Sequence, residues 1–188
     1  RARSAGVTHI FMPNIDSTTI DSMLSVCNTY NDYCFPMIGL HPTSVNADYE
    51  KELEIVAREL RSFNKYIAIG EVGMDLYWDK TFLKEQQIVL DKQINWALEY
   101  DLPVVIHCRD AFGYIYNVLE PYKNTSLKGV FHSFTGTDDE AARILEFSGF
   151  LIGINGVVTF KKSRLPEVLT KIPLEKIVLE TDSPYLTP

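Results

Sequence analysis

Residues 66–75, YIAIGEVGMD, form an apolar run that ends on a carboxylate, Glu71, set between Gly70 and Gly73. Ile67, Ile69 and Glu71 alternate, so a strand here is expected to carry them on one face, which begins as core and ends on an acid. A lone carboxylate is costly to bury, and its charge calls for a nearby basic side chain or metal ion. Taken alone, Glu71 reads equally well as a capping or salt-bridged glutamate. Its meaning depends on whether other strands end the same way.

They do. Val7 to Met12 is a short apolar run, after which Ile20, Met23, Leu24 and Cys27 recur at helical spacing. Phe35 to Leu40 runs into His41-Pro42, and Leu53, Val56, Ala57 and Leu60 mark the next helix. After Glu71 comes a loop with Tyr77 and Trp78, then a helix with Leu83, Leu90, Ile94 and Ala97 on one side. Pro103 to Ile106 leads into His107-Cys108, followed by a helix over residues 111–119. Gly129 to Phe131 leads into His132-Ser133, and Thr137-x-x-Glu140 has the form of a capping box, with Gly149 expected as the C-cap glycine of that helix. Phe150 to Ile154 ends at Asn155, Pro166 opens a short helix, and Lys176 to Leu179 runs into Glu180-Thr181-Asp182.

The pattern is strand then helix, with a period of about 30 residues, the size of a βαβ unit. The strands are apolar throughout, as in a parallel sheet covered on both faces. Such alternation suits an α/β barrel or a doubly wound sheet, and the polar residues separate the two. Successive strands end in His41, Glu71, His107, His132, Asn155 and Asp182. A barrel gathers strand ends at one mouth, whereas an open sheet spreads them along an edge. The expected architecture is therefore a (β/α)8 TIM barrel, with about seven strands in this chain and a single domain over residues 1–188.

Composition excludes several classes. With 188 residues, 46% of them hydrophobic, the chain can bury a sizeable core. A net charge of −7 argues against a protein that coats DNA by overall charge, so a polyanion must be met by local cations. No apolar run approaches the roughly 18 residues of a membrane span, and the first residues lack the apolar segment of a signal peptide. A cytoplasmic protein without membrane contact is expected. Cys27, Cys34 and Cys108 lie far apart and are odd in number, which suits reduced thiols. Asn124-Thr125-Ser126 matches a glycosylation acceptor by chance in such a setting.

Three histidines and two carboxylates at matching strand ends point to a metal site. Imidazoles favour zinc or manganese, magnesium prefers oxygen, and a carboxylate can bridge two cations about 3.5 to 4 Å apart. Glu71 is the candidate bridge, with His107, His132 and Asp182 as terminal ligands. Such a site makes hydroxide available near neutral pH, and Asp182 is placed to take a proton from the attacking water. His41 is open between ligand, substrate contact and orienting residue, with substrate contact favoured. His9, near the start of its strand, is left out. Lys161, Lys162 and Arg164 form either an ordinary solvated run or a phosphate-holding loop, and Tyr77 and Trp78 either stack on bases or cover the rim.

Five motifs carry a family resemblance: GLHP at 39–42, GEVGMD at 70–75, HCRDA at 107–111, HSFTG at 132–136 and ETDSPYLTP at 180–188. In these the chain resembles the TatD family of metal-dependent deoxyribonucleases, among the amidohydrolase-like barrels. The resemblance implies a (β/α)8 barrel, a centre of two divalent metal ions, and hydrolysis of DNA phosphodiesters, often from a 3′ end; the ions are expected to be Mg, Mn or Zn, the DNA single-stranded and the protein a monomer. The resemblance implies Glu71, His107, His132 and Asp182 as the metal set, with Asp182 also catalytic; beside it, Glu71 is taken as a second catalytic residue, and His41, Arg109, Lys161, Lys162, Arg164, Tyr77 and Trp78 as candidate substrate contacts. Family members open with a His-x-His strand and close with a final helix. Neither is present here, so the natural protein is expected to be longer at both ends. The alternatives are a hydrolase of another ester or amide, such as an aminoacyl-tRNA or a small molecule, and a non-catalytic barrel.

Overall fold

The computed structural model describes residues 1–62, 65–183 and 185–186. Among these, seven strands and six α-helices alternate. The strands are β1 (Ile10–Met12), β2 (Cys34–Pro36), β3 (Ile69–Asp75), β4 (Val104–Arg109), β5 (Gly129–Phe131), β6 (Phe150–Ile154) and β7 (Ile177–Leu179). The helices are α1 (Ile20–Thr29), α2 (Tyr49–Ser62), α3 (Leu83–Glu99), α4 (Phe112–Leu119), α5 (Asp138–Leu145) and α6 (Leu165–Leu169). Every strand pair is parallel, and spatial order follows chain order through β3-β4-β5-β6-β7, with β1 beside β2. A single bridge from Ile38 to Ile69 joins the two groups. This single winding is that of a TIM barrel rather than a doubly wound sheet. No pairing of β7 with β1 occurs among the described residues, so a closed barrel is not seen.

Register sorts the side chains into two rows. Val104, Ile106, Phe131, Phe150 and Ile152 are buried on the helix side, where Phe112 of α4 stands 6.0 Å from Phe131 and Phe147 stands 5.5 Å from Phe150. Val105, Val130 and Leu151 align on the opposite, half-buried row. Alternation then carries His107 and His132 onto that inner row at the strand ends.

Three expectations need correction. β3 runs on to Asp75 instead of ending at Glu71, and it does not alternate strictly. Ile69 pairs with Val104 and Val72 with Ile106, so three steps of β3 match two of β4. That bulge parts Glu71 from the face of Ile69, as bulges beside functional sites do. Second, β2 ends at Pro36, short of the 35–40 run, and beyond it single contacts follow, among them the Met37 N–H to the Met12 carbonyl and the Ile38–Ile69 bridge. Third, Gly149 is not a C-cap. α5 stops at Leu145 with Glu146 as its cap, and a Cβ on Gly149 would meet the Leu127 carbonyl at 2.5 Å. The α5 capping box does form, with Thr137 and Glu140 exchanging bonds. In the last motif, Pro184, Thr187 and Pro188 lie outside the described residues.

Helix α3 braces two strand ends in a way its apolar stripe does not reveal. Gln93, fully buried, accepts the Leu40 N–H at 2.7 Å and donates to the Leu40 carbonyl at 3.2 Å. Two turns earlier Gln86 does the same for Asp75, at 2.9 and 3.2 Å. These amides replace ladder partners that the neighbouring strands do not supply, and so hold the backbone next to His41 and at Asp75. Replacing Gln93 by Leu strands a buried N–H and a buried C=O, each worth roughly 1 to 3 kcal/mol. Denaturant unfolding of Gln93→Leu should show a loss of about 2 to 5 kcal/mol; a loss under about 1 kcal/mol would remove the brace from this account.

Candidate metal centre

Glu71 is the hub of the strand-end cluster. Its Oε1 lies 3.0 Å from Nδ1 of His107, 3.7 Å from Nε2 of His41 and 4.0 Å from Nε2 of His132. Three segments thus bring an imidazole each to one largely buried carboxylate oxygen. The Glu71 N–H points at the carbonyl of Asn14 at 3.4 Å, and buried Asn14 donates its amide to the Gly39 carbonyl at 2.7 Å. The end of β1 is in this way tied into the mouth.

Each of the two inner-row histidines is gripped on both ring nitrogens. Nε2 of His107 is 2.9 Å from Oδ2 of Asp75. His132 places Nδ1 2.7 Å from Oε2 of Glu180 and Nε2 2.7 Å from Oδ1 of Asp182. Glu180 also accepts the Ser133 N–H, at a residue held in the left-handed region with φ 50°. Space for that carboxylate comes from Gly153, where a Cβ would lie 2.3 Å from Glu180 Oε1. Asp182 is held in turn by the Asn155 amide at 3.1 Å and the Ser133 hydroxyl at 3.3 Å. The sequence reading assigns neither Asp75 nor Glu180 to the site. The available signal was parity: Asp75 lies four residues beyond Glu71, and Glu180 two before Asp182, so in extended chain each shares a side with its partner.

His41 is buried and begins a 3-10 turn, where its Nδ1 accepts the Thr43 N–H at 3.2 Å. A neutral ring therefore carries its proton on Nε2, the atom facing Glu71. His9 is outside the cluster, stacked on Phe35 at 5.4 Å. Cys108 faces away from His107, and burial pushes its thiol up to about 12, which keeps it protonated. Arg109, Tyr77 and Trp78 do come together: the guanidinium carbon is 3.8 Å from the Tyr77 ring centre and 5.8 Å from that of Trp78. Lys161 and Lys162 are exposed on the loop after β6, and Arg164 stands 3.9 Å from Glu167 of its own helix.

The electrostatics fit a cation-binding cluster. Burial is the largest influence on Glu71 and raises its pKa, yet hydrogen bonds from His107 and His41, with the His132 charge, hold it well below the usual carboxylate range. Burial likewise disfavours charge on both inner-row histidines, but their carboxylate partners prevail, lifting His107 to about 9 and His132 to about 10. The Asp182 carboxyl is held low, first by its hydrogen bond from His132. Ligand atoms of His41, Glu71 and His107 all lie within 4.8 Å of one another, with His132 and Asp182 beside the same carboxylate. Mixed nitrogen and carboxylate donors, backed by further carboxylates on the far ring nitrogens, are a donor set that suits borderline divalent cations.

Comparison with known proteins decides the family. The model for the family described as TatD related DNase matches residues 1–188. The chain belongs to the TatD family. As a member it is a metal-dependent hydrolase. It is 34% identical over 189 residues to the uncharacterized metal-dependent hydrolase YabD of Bacillus subtilis, covering 100% of this chain and 73% of that protein. It is 33% identical over 190 residues to the 3′-5′ ssDNA/RNA exonuclease TatD of Pantoea ananatis, covering 100% of this chain and 72% of the other. The crystal structure of the TatD homologue YjjV from Escherichia coli K12 superimposes with a TM-score of 0.90 at 32% identity, over 98% of this chain and 71% of that one.

Two outcomes follow for this TatD-family cluster. Asp75→Asn and Glu180→Gln keep size but weaken the grip on His107 and His132, and each should lower Mn²⁺ or Zn²⁺ affinity about 10- to 100-fold by calorimetry. Wild-type affinity in both variants would make the carboxylates bystanders.

The second outcome concerns pH. An ordinary histidine loses its proton near 6.5, whereas here His107 and His132 keep theirs to about 9 and 10. Their folded values are raised, so the stabilisation in the metal-free protein is complete below about pH 6.5 and is lost as pH rises through 9 to 10. Metal ligation needs neutral rings, so cation uptake near neutral pH should release protons and tighten as pH rises. Calorimetry in buffers of different ionisation heat reads that release directly; uptake without proton release would contradict the ion pairs described.

Proposed function

We propose that this protein hydrolyses DNA phosphodiester bonds, removing nucleotides from the 3′ end of single strands, with two divalent cations held by Glu71, His107, His132 and Asp182. The observation that carries the reading is one buried carboxylate ringed by three imidazoles, with the stacked Arg109, Tyr77 and Trp78 at the same strand ends. The exonuclease name of the Pantoea relative supports the choice of bond.

Bound at these residues, divalent cations supply a water acidified toward neutral pH and an electrophilic phosphorus. This chain's own groups do the rest. Asp182 is ionised at neutral pH; Asn155 and Ser133 hold its outer oxygen, and its inner oxygen, beside His132 Nε2, is the one that would accept a proton from the attacking water once His132 is engaged by a cation. Asp75 and Glu180 keep the two inner-row imidazoles turned to the cluster. His41, with its proton on Nε2, donates toward the cluster and is suited to a substrate oxygen. Tyr77 and Trp78, exposed beside the Arg109 guanidinium, offer a stacking face for bases and a cation for a flanking phosphate. Lys161 and Lys162 add local positive charge to a protein that is acidic overall.

The test is metal-dependent release of nucleotides from a 3′-labelled single-stranded DNA, with the native protein and Asp182→Asn in parallel. Release should require added Mn²⁺ or Mg²⁺ and fall at least about 100-fold in the variant. No release from a native protein shown to bind metal would turn the reading to another ester or amide.

A further inference from the structure

Beside the metal centre a cavity of about 620 Å³ opens between the β4–α4 and β5–α5 connections. His132 belongs to both, so the cavity and the cluster share a wall. Four aromatic side chains, Phe112, Tyr114, Phe131 and Phe134, line it together with the polar Asp110, Asn117 and Thr135. The proposed mechanism uses none of these residues.

We infer that this cavity receives the nucleobase of the nucleotide whose phosphodiester lies at the metal centre, an inference that rests on the nuclease reading. The size is right: pockets for small ligands span roughly 300 to 1,000 Å³, enough for a base with its sugar. The chemistry is also selective. Aromatic walls suit a planar ring, and every base has a face that can stack. The charged groups of the wall do not call for a second phosphate here. Asp110 and Glu140 are acidic, and the two basic residues of the wall are already engaged, with the Arg143 guanidinium drawn 3.5 Å over the Tyr116 ring and His132 held by Glu180 and Asp182. Glu140 Oε2 is already engaged by the Thr137 N–H at 2.7 Å. Such a wall offers an anion no free cation, whereas an uncharged ring with donor and acceptor edges finds the Asn117 amide, the Thr135 hydroxyl and the Asp110 carboxylate. The phosphate then stays with the cations and the base turns aside into the cavity.

Gly113 gives a way to close the cavity without disturbing its walls. It lines the space in the first turn of α4, and a Cβ built on it meets no atom within 4 Å. Gly136, by contrast, would drive a Cβ to 2.5 Å from the Glu140 carboxylate and is a poor choice. Gly113→Trp should therefore fill the cavity and leave the histidine cluster intact, which an unchanged Mn²⁺ affinity and thermal midpoint verify.

Two measurements test the inference. In the first, ¹H–¹⁵N spectra of the native protein are titrated with deoxycytidine, deoxyadenosine or deoxyribose alone. Saturable shifts are expected at Gly113, Asn117, Thr135 and Gly136 with the nucleosides, absent with deoxyribose and absent in Gly113→Trp. No shifts at these amides, or equal shifts with deoxyribose, would overturn the inference. In the second, metal-dependent cleavage is compared for a single-stranded oligomer and the same oligomer with an abasic 3′ residue. Removing the base should lower kcat/KM about tenfold or more for the native protein, as expected for loss of one stacked base, and Gly113→Trp should bring the intact oligomer to the abasic rate. Equal rates on both substrates in both proteins would overturn the inference while leaving the nuclease reading standing. Nucleoside shifts with no cleavage of either oligomer would overturn the nuclease reading and, with it, the assignment of the bound base to a scissile nucleotide.

Discussion

The structure turns on one carboxylate that is kept charged where water is scarce. Glu71 is largely buried, and burial by itself raises its pKa and disfavours the charge. It stays ionised because His107, His41 and His132 surround a single oxygen. Positive rings in turn require negative partners, and Asp75, Glu180 and Asp182 supply them. The result is an alternating lattice of charge in which no member can be removed without stranding another. A divalent cation placed among these groups does what the imidazolium protons do in the metal-free protein.

Around that lattice the fold acts as a set of braces. Gln86 and Gln93 on α3 hold the backbone at Asp75 and Leu40. Asn14 ties the end of β1 to Gly39 and Glu71, and Asn155 with Ser133 fixes Asp182. Every brace is an uncharged amide or hydroxyl. Uncharged groups position the ionic ones without altering their charge balance, which suits a site that exchanges protons for metal. The residues proposed to meet substrate are more open: Trp78 is 78% exposed and Tyr77 49%, packed edge-on against each other beside Arg109.

The strand-and-helix alternation was legible because both periods are written in apolar residues. Ile20, Met23 and Cys27, and Leu53, Val56 and Leu60, are buried as their spacing predicts. The gathering of His41, Glu71, His107, His132, Asn155 and Asp182 was legible from their common place at strand ends. The bulge in β3 was not, because alternation over Ile67, Ile69 and Glu71 is broken by one extra residue that has meaning only against β4. Gln86 and Gln93 read as interruptions of an apolar stripe, since their partners are backbone groups more than ten residues away in one case and fifty in the other.

By itself, then, the amino-acid order determined the period of the fold, the direction of its strands and the identities of the chemical groups at their ends, since hydrophobic spacing and short motifs are local properties of a chain. Only the tertiary structure decided how those groups are paired. Whether Asp75 meets His107, whether Glu180 meets His132, and whether Gly153 leaves room for a carboxylate depend on register between strands far apart in sequence. A hydrogen bond is a matter of tenths of an ångström between two such elements. That distance is set by packing across the sheet, and packing is a property of the assembled fold.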